Sequence, residues 1–453
     1  MTRVNVVAAT GQVGTGFLEE SLTTAARSAD VIGCDGGSSD PGPYYLGSGE
    51  AQASPDALER DLELMLEAAI RADVPLVIGS AGTAGGAPHL DLVRGLVTSI
   101  AARHRWHFRL GCLGSEIDAE AVAADFRRGA VTPLPGAPPL SEETILRTRR
   151  IVAMMGVEPI QKALSDGVRV VLCGRSSDVS IFAALPVMRG AGRGAAYHAA
   201  KVLECGASAV ERKAYPDAMC ASIRDDHFEV EPPNPDFRCT PQSVAAHTLH
   251  ENADPFRLVE PGGVLDMSEA VYTQSGARAV RVSGSRFHQN DDYTVRLEGA
   301  ALTGYRSVAF AGIRDPLVVG RVEDFLADVT STVRRKVRDS LGLDQRAYSL
   351  TWRVYGVDGV LGALERTVST PHEVGVLLDI VSPEQRRSSA ICAIAWHTAL
   401  HHPIAEYSGG VSHLAFPFSP PTMEAGPVYE FSLNHVLHLT DPCAPFQFAY
   451  ENV

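Results

Sequence analysis

The first half of the chain alternates short apolar segments with longer amphipathic ones. The apolar segments are rich in β-branched residues and almost uninterrupted, which is typical of strands covered on both faces. Between them the pattern predicts amphipathic helices such as Pro55–Arg71 and Pro88–Arg103. Because strands and helices alternate, the sequence predicts a parallel, Rossmann-like sheet with helical crossovers. The predicted strands are Val4–Ala8, Asp30–Cys34, Pro75–Gly79, His107–Leu110 and Val168–Cys173.

The second half has shorter strands and a different order of elements. A proline-rich connector around Pro232–Pro235 precedes it, and the order strand, helix, strand, strand, helix, strand predicts a split β-α-β-β-α-β arrangement. We therefore expect a parallel α/β ligand-binding domain at residues 1–222 and an α+β domain at residues 223–453 that covers the site. The predicted strands and helices of the second domain are Tyr305–Ala311, Leu317–Leu341, Tyr348–Val354, Glu373–Val381, Pro383–His401 and Val428–Leu433.

Composition and charge narrow the range of partners. Of the 453 residues, 45% are hydrophobic and 21% charged, which is ordinary for a globular protein. No apolar run is long enough to cross a bilayer, and the net charge of −14 disfavours nucleic acid and anionic membranes as partners. The eight cysteines are scattered without a CxxC pair, which favours free thiols in a reducing cytoplasm. We expect a cytoplasmic homo-oligomer.

Glycine-rich loops follow the predicted strands of the first half. Because ligands bind beyond the carboxyl ends of parallel strands, these loops predict a ligand site at one sheet edge. Their backbone N–H groups can approach an anion closely, so we expect a small anionic substrate held partly by Ser80, Gly82 and Thr83. The loops are Ala9–Thr15, Cys34–Tyr44, Ser80–Gly86, Gly111–Glu116 and Cys173–Asp178.

The first of these loops superficially resembles a dinucleotide-binding fingerprint. Its glycines, Gly11, Gly14 and Gly16, do not have the GxGxxG spacing, and Asp35 is the only acid near the ribose-binding position. A tight turn or a nest for a phosphate or carboxylate is the alternative. The sequence therefore predicts no flavin or NAD(P), and it leaves the cofactor otherwise unknown.

The segment CDGGSSDPGP is the most distinctive of the loops. Asp35 and Asp40 flank Ser38 and Ser39 directly after a strand. Two carboxylates beside one ligand can share acid and base roles, or they can hold a divalent metal. The alternative is that Asp35 accepts from loop amides and Asp40 caps a turn.

The last loop of the first half brings Arg175 and Asp178 to the same edge. Arg175 could hold a carboxylate or phosphate, and Asp178 could act on the substrate or cap the next helix. Beyond it, His198 and Lys201 lie one helical turn apart, and Lys201 is one of only four lysines. They could be acid–base groups, or they could belong to an exposed ion-paired helix face together with Glu204.

Two further features stand in the second half. His397 and His401 are one helical turn apart, a spacing that metal sites use, and His402 follows them. No acidic ligand completes a recognised motif, so no metal ligand is assigned, and the alternative is that these histidines belong to a helix end and the core. Arg314 follows a predicted strand and precedes Asp315. We expect its side chain either to face the loops of the first domain and bind the substrate, or to pair within its own domain.

Five long motifs together resemble one family, the acyclic terpene utilisation (AtuA-type) proteins. The resemblance extends from Asp30 to about Phe418. The resemblance implies a role beside enzymes that break down branched acyl-CoA and carboxylate compounds. It implies no particular reaction and no catalytic residue. The motifs are ADVIGCDGGSSDPGPYYLGSG, SAGTAGG, HAAKVLECGA, GYRSVAFAGIRDP and LAFPFSPP.

These features together predict an enzyme of small organic acid or acyl-thioester metabolism. We expect a redox-neutral, hydratase- or lyase-type step. The expected acid–base groups are Asp35, Asp178, His198 and Lys201. The expected substrate-binding residues are Ser38, Ser39, Asp40, Ser80, Gly82, Thr83, Arg175 and Arg314. The alternative is a non-catalytic acyl- or carboxylate-binding partner subunit of a catabolic pathway.

Overall fold

The computed structural model describes residues 3–137, 139–250, 252–367, 371–406 and 412–453. It is a mixed α/β structure, as the sequence predicted. The strands are β1 Val4–Ala8, β2 Val31–Asp35, β3 Leu76–Gly79, β4 Arg109–Gly114, β5 Val131–Pro133, β6 Arg150–Ala153, β7 Val170–Cys173, β8 Met219–Ile223, β9 His227–Glu231, β10 Arg257–Glu260, β11 Gly263–Asp266, β12 Val271–Ser275, β13 Ala279–Ser283, β14 Arg286–Gln289, β15 Tyr293–Ile313, β16 Ser349–Tyr355, β17 Val374–Ser382, β18 Met423–Leu439 and β19 Gln447–Asn452.

The helices surround these strands. They are α1 Glu19–Ala26, α2 Pro43–Ser48, α3 Pro55–Ala72, α4 Ala87–His104, α5 Ala119–Arg127, α6 Glu142–Arg147, α7 Val157–Ser165, α8 Asp178–Met188, α9 Arg193–Leu203, α10 Pro241–Thr248, α11 Pro316–Val319, α12 Val322–Leu341 and α13 Gln385–Leu400. Short 3-10 turns lie at Gly206–Ala209, Gln345–Ala347 and Gly362–Leu364. Among the described helices, none combines the length and apolar character that crossing a bilayer requires.

A ten-stranded mixed sheet organises the first of two compact units. Its strand order is β12-β13-β9-β8-β1-β2-β3-β7-β4-β19. The neighbours β1, β2, β3, β7 and β4 are parallel, with Val6 beside Val31 and Ile78 beside Leu172. Antiparallel strands extend the sheet on both sides, beginning with β8 next to β1 and β19 next to β4. The five strands predicted from the sequence form this parallel centre.

The parallel strands are buried on both faces. Leu22, Leu62 and Val97, from α1, α3 and α4, pack in one apolar core with β1–β4 and β7. Residues of α7, α8 and α9, including Phe182, belong to a second core. Phe182 lies so close to Gly33 of β2 that a Cβ at Gly33 would be 2.7 Å from its ring. Glycine is therefore required where α8 meets the sheet.

The units divide the chain at other positions than the predicted boundary after residue 222. Unit 1 contains residues 1–301 and 431–453, and unit 2 contains residues 302–430. The chain after residue 222 stays in unit 1 because β8 and β9 continue the main sheet as an antiparallel hairpin. The predicted connector at Pro232–Pro235 therefore lies inside unit 1. The change from continuous to alternating apolar patterns marks the end of the parallel strands rather than a boundary between units.

Unit 2 has its own apolar core. The elements follow in the order β15, α12, β16, β17, α13 and β18, with the short α11 before α12. The second part of β15 pairs antiparallel with β17, and β17 pairs with β16. Val329 and Val333 of α12 and Ile391 of α13 are fully buried against this sheet. Strands β15 and β18 each have residues in both units.

Candidate functional site

The connections of the parallel sheet diverge between β3 and β7. These strands are neighbours, but β3 leads into α4, which packs in one core, and β7 leads into α8, which packs in the other. In open α/β sheets the crevice at such a switch point, beyond the carboxyl ends of the strands, is where ligands bind. The loops after β2, β3 and β7 meet at this position.

Close backbone approaches hold these loops together. The Gly36 N–H donates to the Gly79 carbonyl over 2.7 Å, and a Cβ on Gly85 would lie 2.1 Å from the Arg175 nitrogen. Ser80 and Thr83 have positive φ angles of 37° and 107°, which are strained for residues with a side chain. The glycine density that the sequence shows thus serves loop-to-loop packing.

Arg175 forms the centre of the charged groups at this edge. Its Nε donates to Glu298 Oε2 over 2.7 Å, and both side chains are buried. The guanidinium also donates to the Ser80 hydroxyl, the Ser176 carbonyl and, over 3.4 Å, to Asp178 Oδ1. The buried positive charge of Arg175 is compensated by the Glu298 carboxylate and by these hydrogen-bond acceptors. Its Nε and Nη1 donors are engaged by the protein itself.

Asp35 ends β2 and is almost completely buried. One carboxyl oxygen, Oδ2, accepts from the Gly37 N–H over 2.9 Å, whereas Oδ1 has no hydrogen-bond partner among the described residues. Burial and the negative charge of Asp178 raise the pKa of Asp35 well above its ordinary value, against the lowering effect of Arg175. The buried, unpartnered oxygen of Asp35 therefore lies beside the switch point in surroundings that favour its protonated form.

Asp178 is the carboxylate of this group that solvent reaches. Its side chain is 36% exposed, and it occupies the first position of α8. Desolvation and the charges of Asp40 and Glu298 raise the pKa of Asp178, while Arg175 and Lys201 lower it. Ser177 and not Asp178 stands at the N-cap, and the Ser177 hydroxyl donates to Glu260 instead of capping the helix. The alternative of an Asp178 cap is wrong.

Lys201 and Glu204 form a buried ion pair on and just after α9. The alternative prediction was an exposed, ion-paired helix face. The ion pair exists, but it is buried, so the predicted exposure is wrong. Burial raises the pKa of Glu204 to about 8, and burial raises the pKa of Glu260 to about 7. Lys201 also acts electrostatically on Asp178 and Glu260.

We call these interacting side chains the charge cluster. Its members are Asp35, Arg175, Asp178, Lys201, Glu204, Glu260 and Glu298. The cluster contains more acids than bases, and a low-dielectric interior disfavours ionising every acid at once. Some of its carboxyl groups consequently keep a proton near neutral pH.

Comparison with known families identifies the chain. The model of the family described as "Acyclic terpene utilisation family protein AtuA" matches residues 55–214 and 230–429. The chain belongs to the AtuA family. No curated protein and no solved structure matches it. The matched residues include Arg175, Lys201 and Glu298, whereas Asp35 precedes them.

The loops of this AtuA-family protein bring several predicted residues to the cluster. Ser39 donates to Glu298 Oε1 over 2.8 Å, and Ser80 contacts Arg175. Ser38 donates to Asp40, which is exposed. Gly82, with φ of 70°, and Thr83, whose hydroxyl accepts from the Gln52 N–H, shape the loop after β3.

Two predicted residues make their hydrogen bonds with other groups. The ring nitrogens of His198 contact the hydroxyls of Ser285 and Thr248, and burial alone lowers the pKa of His198 to about 3. It is a core histidine that burial keeps neutral, and its hydrogen bonds go to Ser285 and Thr248 rather than to members of the cluster. Arg314 belongs to unit 2, where its guanidinium donates to the His372 carbonyl over 2.8 Å. Its predicted role toward the first-domain loops stays a prediction.

The first glycine-rich loop, Ala9–Thr15, binds the carboxylate of Asp61 through backbone N–H groups at its end. Gly14 and Gly16 donate their N–H groups to Asp61 Oδ2 over 2.8 and 3.0 Å, and Asp61 is buried. The amides that a phosphate would use are therefore occupied by the protein's own acid.

Metal donors do not gather in threes within the part of the chain that the structure describes. His397 and His401 pack edge to face, with ring centroids 5.3 Å apart. His402 packs against Phe325 in the same way.

Two members of the charge cluster were not predicted from the sequence. Glu298 lies in β15, which pairs antiparallel with β6 and places Glu298 opposite Val152. Glu260 ends β10, in a small three-stranded sheet. Each is a lone acid in a strand-like segment, and no local motif distinguishes it. The one signal that the sequence offers for these residues is an acid inside a strand-like segment.

Proposed function

We propose that this protein is an enzyme that catalyses a redox-neutral, hydratase- or lyase-type step on an acyl thioester or small organic acid. The observation that supports this most is the pair Asp35 and Asp178, whose charges interact beside the switch point. One carboxyl is buried with an unpartnered oxygen, and the other is partly exposed. Such a pair divides acid and base roles between two environments.

In the proposed reaction Asp35 donates a hydrogen bond and Asp178 transfers the protons. Protonated Asp35 gives a hydrogen bond to the thioester carbonyl, which stabilises the enolate that forms when a base acts at the α-carbon. Ionised Asp178 takes the α-proton, and the bond from the β-carbon to a leaving hydroxyl breaks. The leaving hydroxyl departs as water once it takes a proton from the carboxyl that received the α-proton. The reverse sequence adds water, and no electrons enter or leave.

The charge balance of the cluster favours an uncharged thioester at the reacting end. A free carboxylate would add a negative charge to a cluster that already holds more acids than bases. The Nε and Nη1 donors of Arg175 are engaged by Glu298, Ser80 and Ser176, so Arg175 orders the loops in this proposal. Lys201 limits the negative charge near Asp178. The free state of all eight cysteines supports a cytoplasmic location.

The experiment follows α-proton exchange and water transfer. The purified full chain is incubated in D₂O with branched saturated, α,β-unsaturated and β-hydroxy acyl thioesters, since the family description names acyclic terpenes. Mass spectrometry then detects deuterium at the α-carbon or the gain or loss of one water. We expect exchange with the wild type and its loss in Asp178→Asn, which lacks the carboxylate that takes the α-proton. Asp118→Asn, which alters an exposed helix cap, is the matched control.

Two outcomes contradict the proposal. If no thioester in the set exchanges a proton, the protein is not an enzyme that acts on this class of thioesters. Tight binding of a thioester without exchange would support the non-catalytic binding subunit instead.

A further inference from the structure

Strand β16 of unit 2 lies at the edge of a six-stranded sheet. Among the described residues it pairs with β17 alone, where Trp352 lies opposite Leu378. Natural proteins commonly shorten or cover such an edge, because its unpaired backbone groups can bind another strand. Strand β16 has seven residues and is therefore not shortened.

The backbone of β16 alternates between groups that face β17 and groups that face outward. The Val354 carbonyl accepts from the N–H groups of Val357 and Gly359 over 3.1 and 2.9 Å, so it faces away from β17. Leu350 and Trp352 lie four and two residues before Val354, so their N–H and C=O groups face outward as well. None of these four groups has a backbone partner within the part of the chain that the structure describes.

The register of the neighbouring strands gives the same result. Gly312 of β15 exchanges two backbone hydrogen bonds with Ala415, so it does not bond to β17. Alternation then assigns the even-numbered residues of β17 to β15 and its odd-numbered residues to β16. These odd-numbered residues lie opposite odd-numbered residues of β16, which leaves the backbone groups of Leu350 and Trp352 facing outward. The edge therefore presents the donors and acceptors that another extended peptide backbone would satisfy.

A groove of about 790 Å³ lies beside this edge, between α12 and β16. Leu350 and Trp352 are half-buried in its wall and supply apolar surface. The Trp352 side chain is fixed there, because its Nε1 atom donates to the Thr330 hydroxyl of α12 over 3.0 Å. The groove is thus continuous with the open edge of the strand.

Three arginines of α12 give this groove a positive charge. Arg334, Arg335 and Arg338 line it and are exposed, and the residues that line it include no acid. Arg338 pairs with the exposed Asp339 over 3.3 Å, whereas Arg334 and Arg335 form no ion pair within the described residues. In a chain with a net charge of −14 this is a local reversal of charge. It favours a partner that carries acids, since the arginine guanidinium suits carboxylates.

Two other occupants fit these features less well. A second copy that pairs antiparallel through its own β16 would be related by a two-fold axis perpendicular to the sheet. The α12 helices of both copies would then lie on the same face, where their arginines would repel each other. Nucleic acid offers acceptors to arginine, but it does not supply the donors and acceptors of a neighbouring strand.

We propose that β16 and this groove bind an extended, acidic peptide segment of a partner protein, which adds to the sheet as a further strand. The backbone of the segment bonds to Leu350 and Trp352. Its acids stand at alternate positions, because alternate residues of a strand share one face, and they pair with Arg334 and Arg335. All of these residues belong to unit 2, and the assignment does not depend on the proposed reaction.

The test is calorimetric titration of the full chain with a capped peptide that alternates glutamate and valine and matches the seven residues of β16. We expect saturable one-to-one binding that is weaker by about fivefold or more in Arg334→Gln/Arg335→Gln, because charge-assisted contacts are lost. Both arginines are exposed, so Tm should not change. The matched control is Arg212→Gln/Arg386→Gln, which changes two exposed arginines outside the groove and should bind as the wild type does.

Two further peptides separate strand addition from attraction between charges. One carries lysine in place of glutamate and should not bind. The other keeps its glutamates but is methylated at each backbone nitrogen, so it cannot donate to β16 and should bind about fivefold more weakly or less. The acidic peptide should also slow deuterium exchange in peptic fragments that contain β16, because its outward N–H groups become bonded.

The inference is overturned if the acidic peptide does not bind saturably, if either modified peptide binds as tightly, or if the Arg334→Gln/Arg335→Gln variant has the affinity of the wild type. Dissociation of a dimer of the full chain by the acidic peptide would assign the edge to a second copy instead. Tighter binding of a DNA duplex than of the peptide would assign the groove to nucleic acid. None of these results depends on catalysis, so the proton-exchange experiment decides the proposed function separately.

Discussion

Arg175 and Glu298 are 123 residues apart in the chain and form a buried ion pair, with Nε and Oε2 separated by 2.7 Å. The other oxygen of Glu298 accepts from Ser39 in the loop after β2. Because Arg175 follows β7, one carboxylate fixes two of the loops at the switch point. The pairing with Arg175 holds the pKa of Glu298 below its ordinary value in spite of burial.

Replacing Glu298 by glutamine should destabilise the protein strongly. The variant leaves the Arg175 charge buried without its ionic partner, and breaking a buried pair from one side typically costs ~3–5 kcal/mol. We expect a decrease of that size in the free energy of unfolding, measured by urea denaturation. Glu142→Gln, which breaks the half-exposed pair with Arg127, should cost less than about 1 kcal/mol. Equal effects of the two variants would contradict the central role of Glu298.

The sequence was sufficient to predict the parallel strands and the loops that follow them. Continuous apolar runs predicted strands such as Val4–Ala8, and the loops at Asp35, Ser80 and Arg175 do meet. These features are local, or follow from a general rule about parallel sheets. The family was also identified from motifs alone, and the family match confirms it.

The sequence could not predict what long-range pairing contributes. Glu298 reaches the cluster because β15 pairs with β6, and no local pattern specifies which strand is a partner. His198 and Lys201 show the same limit within one helix, since both are buried but only Lys201 belongs to the cluster. Helical spacing predicts that they lie on neighbouring turns, but it does not predict what each side chain contacts.

Glu260 should make stability depend on pH. Its pKa is raised to about 7 in the folded state, above an unfolded value of about 4.3. Between these values the folded state binds more protons than the unfolded state, so the free energy of unfolding falls as pH rises. One such group contributes a slope of at most ~1.4 kcal/mol per pH unit. Urea denaturation from pH 4.5 to 8 should therefore show a shallower decline for Glu260→Gln than for the wild type.

The control for this pH series is Glu120→Gln, which changes an exposed acid. Its stability curve should run parallel to that of the wild type. If Glu260→Gln is also parallel, Glu260 titrates alike in both states and does not belong to a cluster that retains protons.

Asp35→Asn should separate activity from stability. Asparagine has nearly the shape of a protonated aspartic acid, and Asp35 is buried with a raised pKa, so the free energy of unfolding at pH 8 should be unchanged or higher. The asparagine amide is a much weaker acid than a protonated carboxyl, so its hydrogen bond stabilises the enolate less and thioester turnover should fall by about 10²-fold. Asp178→Asn should also lose turnover. Full activity of Asp35→Asn would show that Asp35 serves only to order the loop.

Gly85→Ala tests the loop packing on which the whole site depends. Gly85 has φ of 64°, and a Cβ there would lie 2.1 Å from the Arg175 nitrogen and 2.4 Å from the Gly174 carbonyl carbon. Those contacts are backbone atoms, which cannot rotate away as a side chain would, and the Gly85 carbonyl itself accepts from the Arg175 N–H. The loop after β7 must therefore move if alanine is introduced. We expect a loss of more than about 2 kcal/mol in the free energy of unfolding, or a chain that fails to fold.

Gly95→Ala is the matched control, because Gly95 lies on the exposed face of α4 with open space at its Cβ. It should stabilise the protein by about 0.5–1 kcal/mol, since alanine restricts the unfolded chain and favours the helix. If both alanine variants are equally stable, the loops after β3 and β7 have room to separate, and the close packing around Arg175 does not hold in solution.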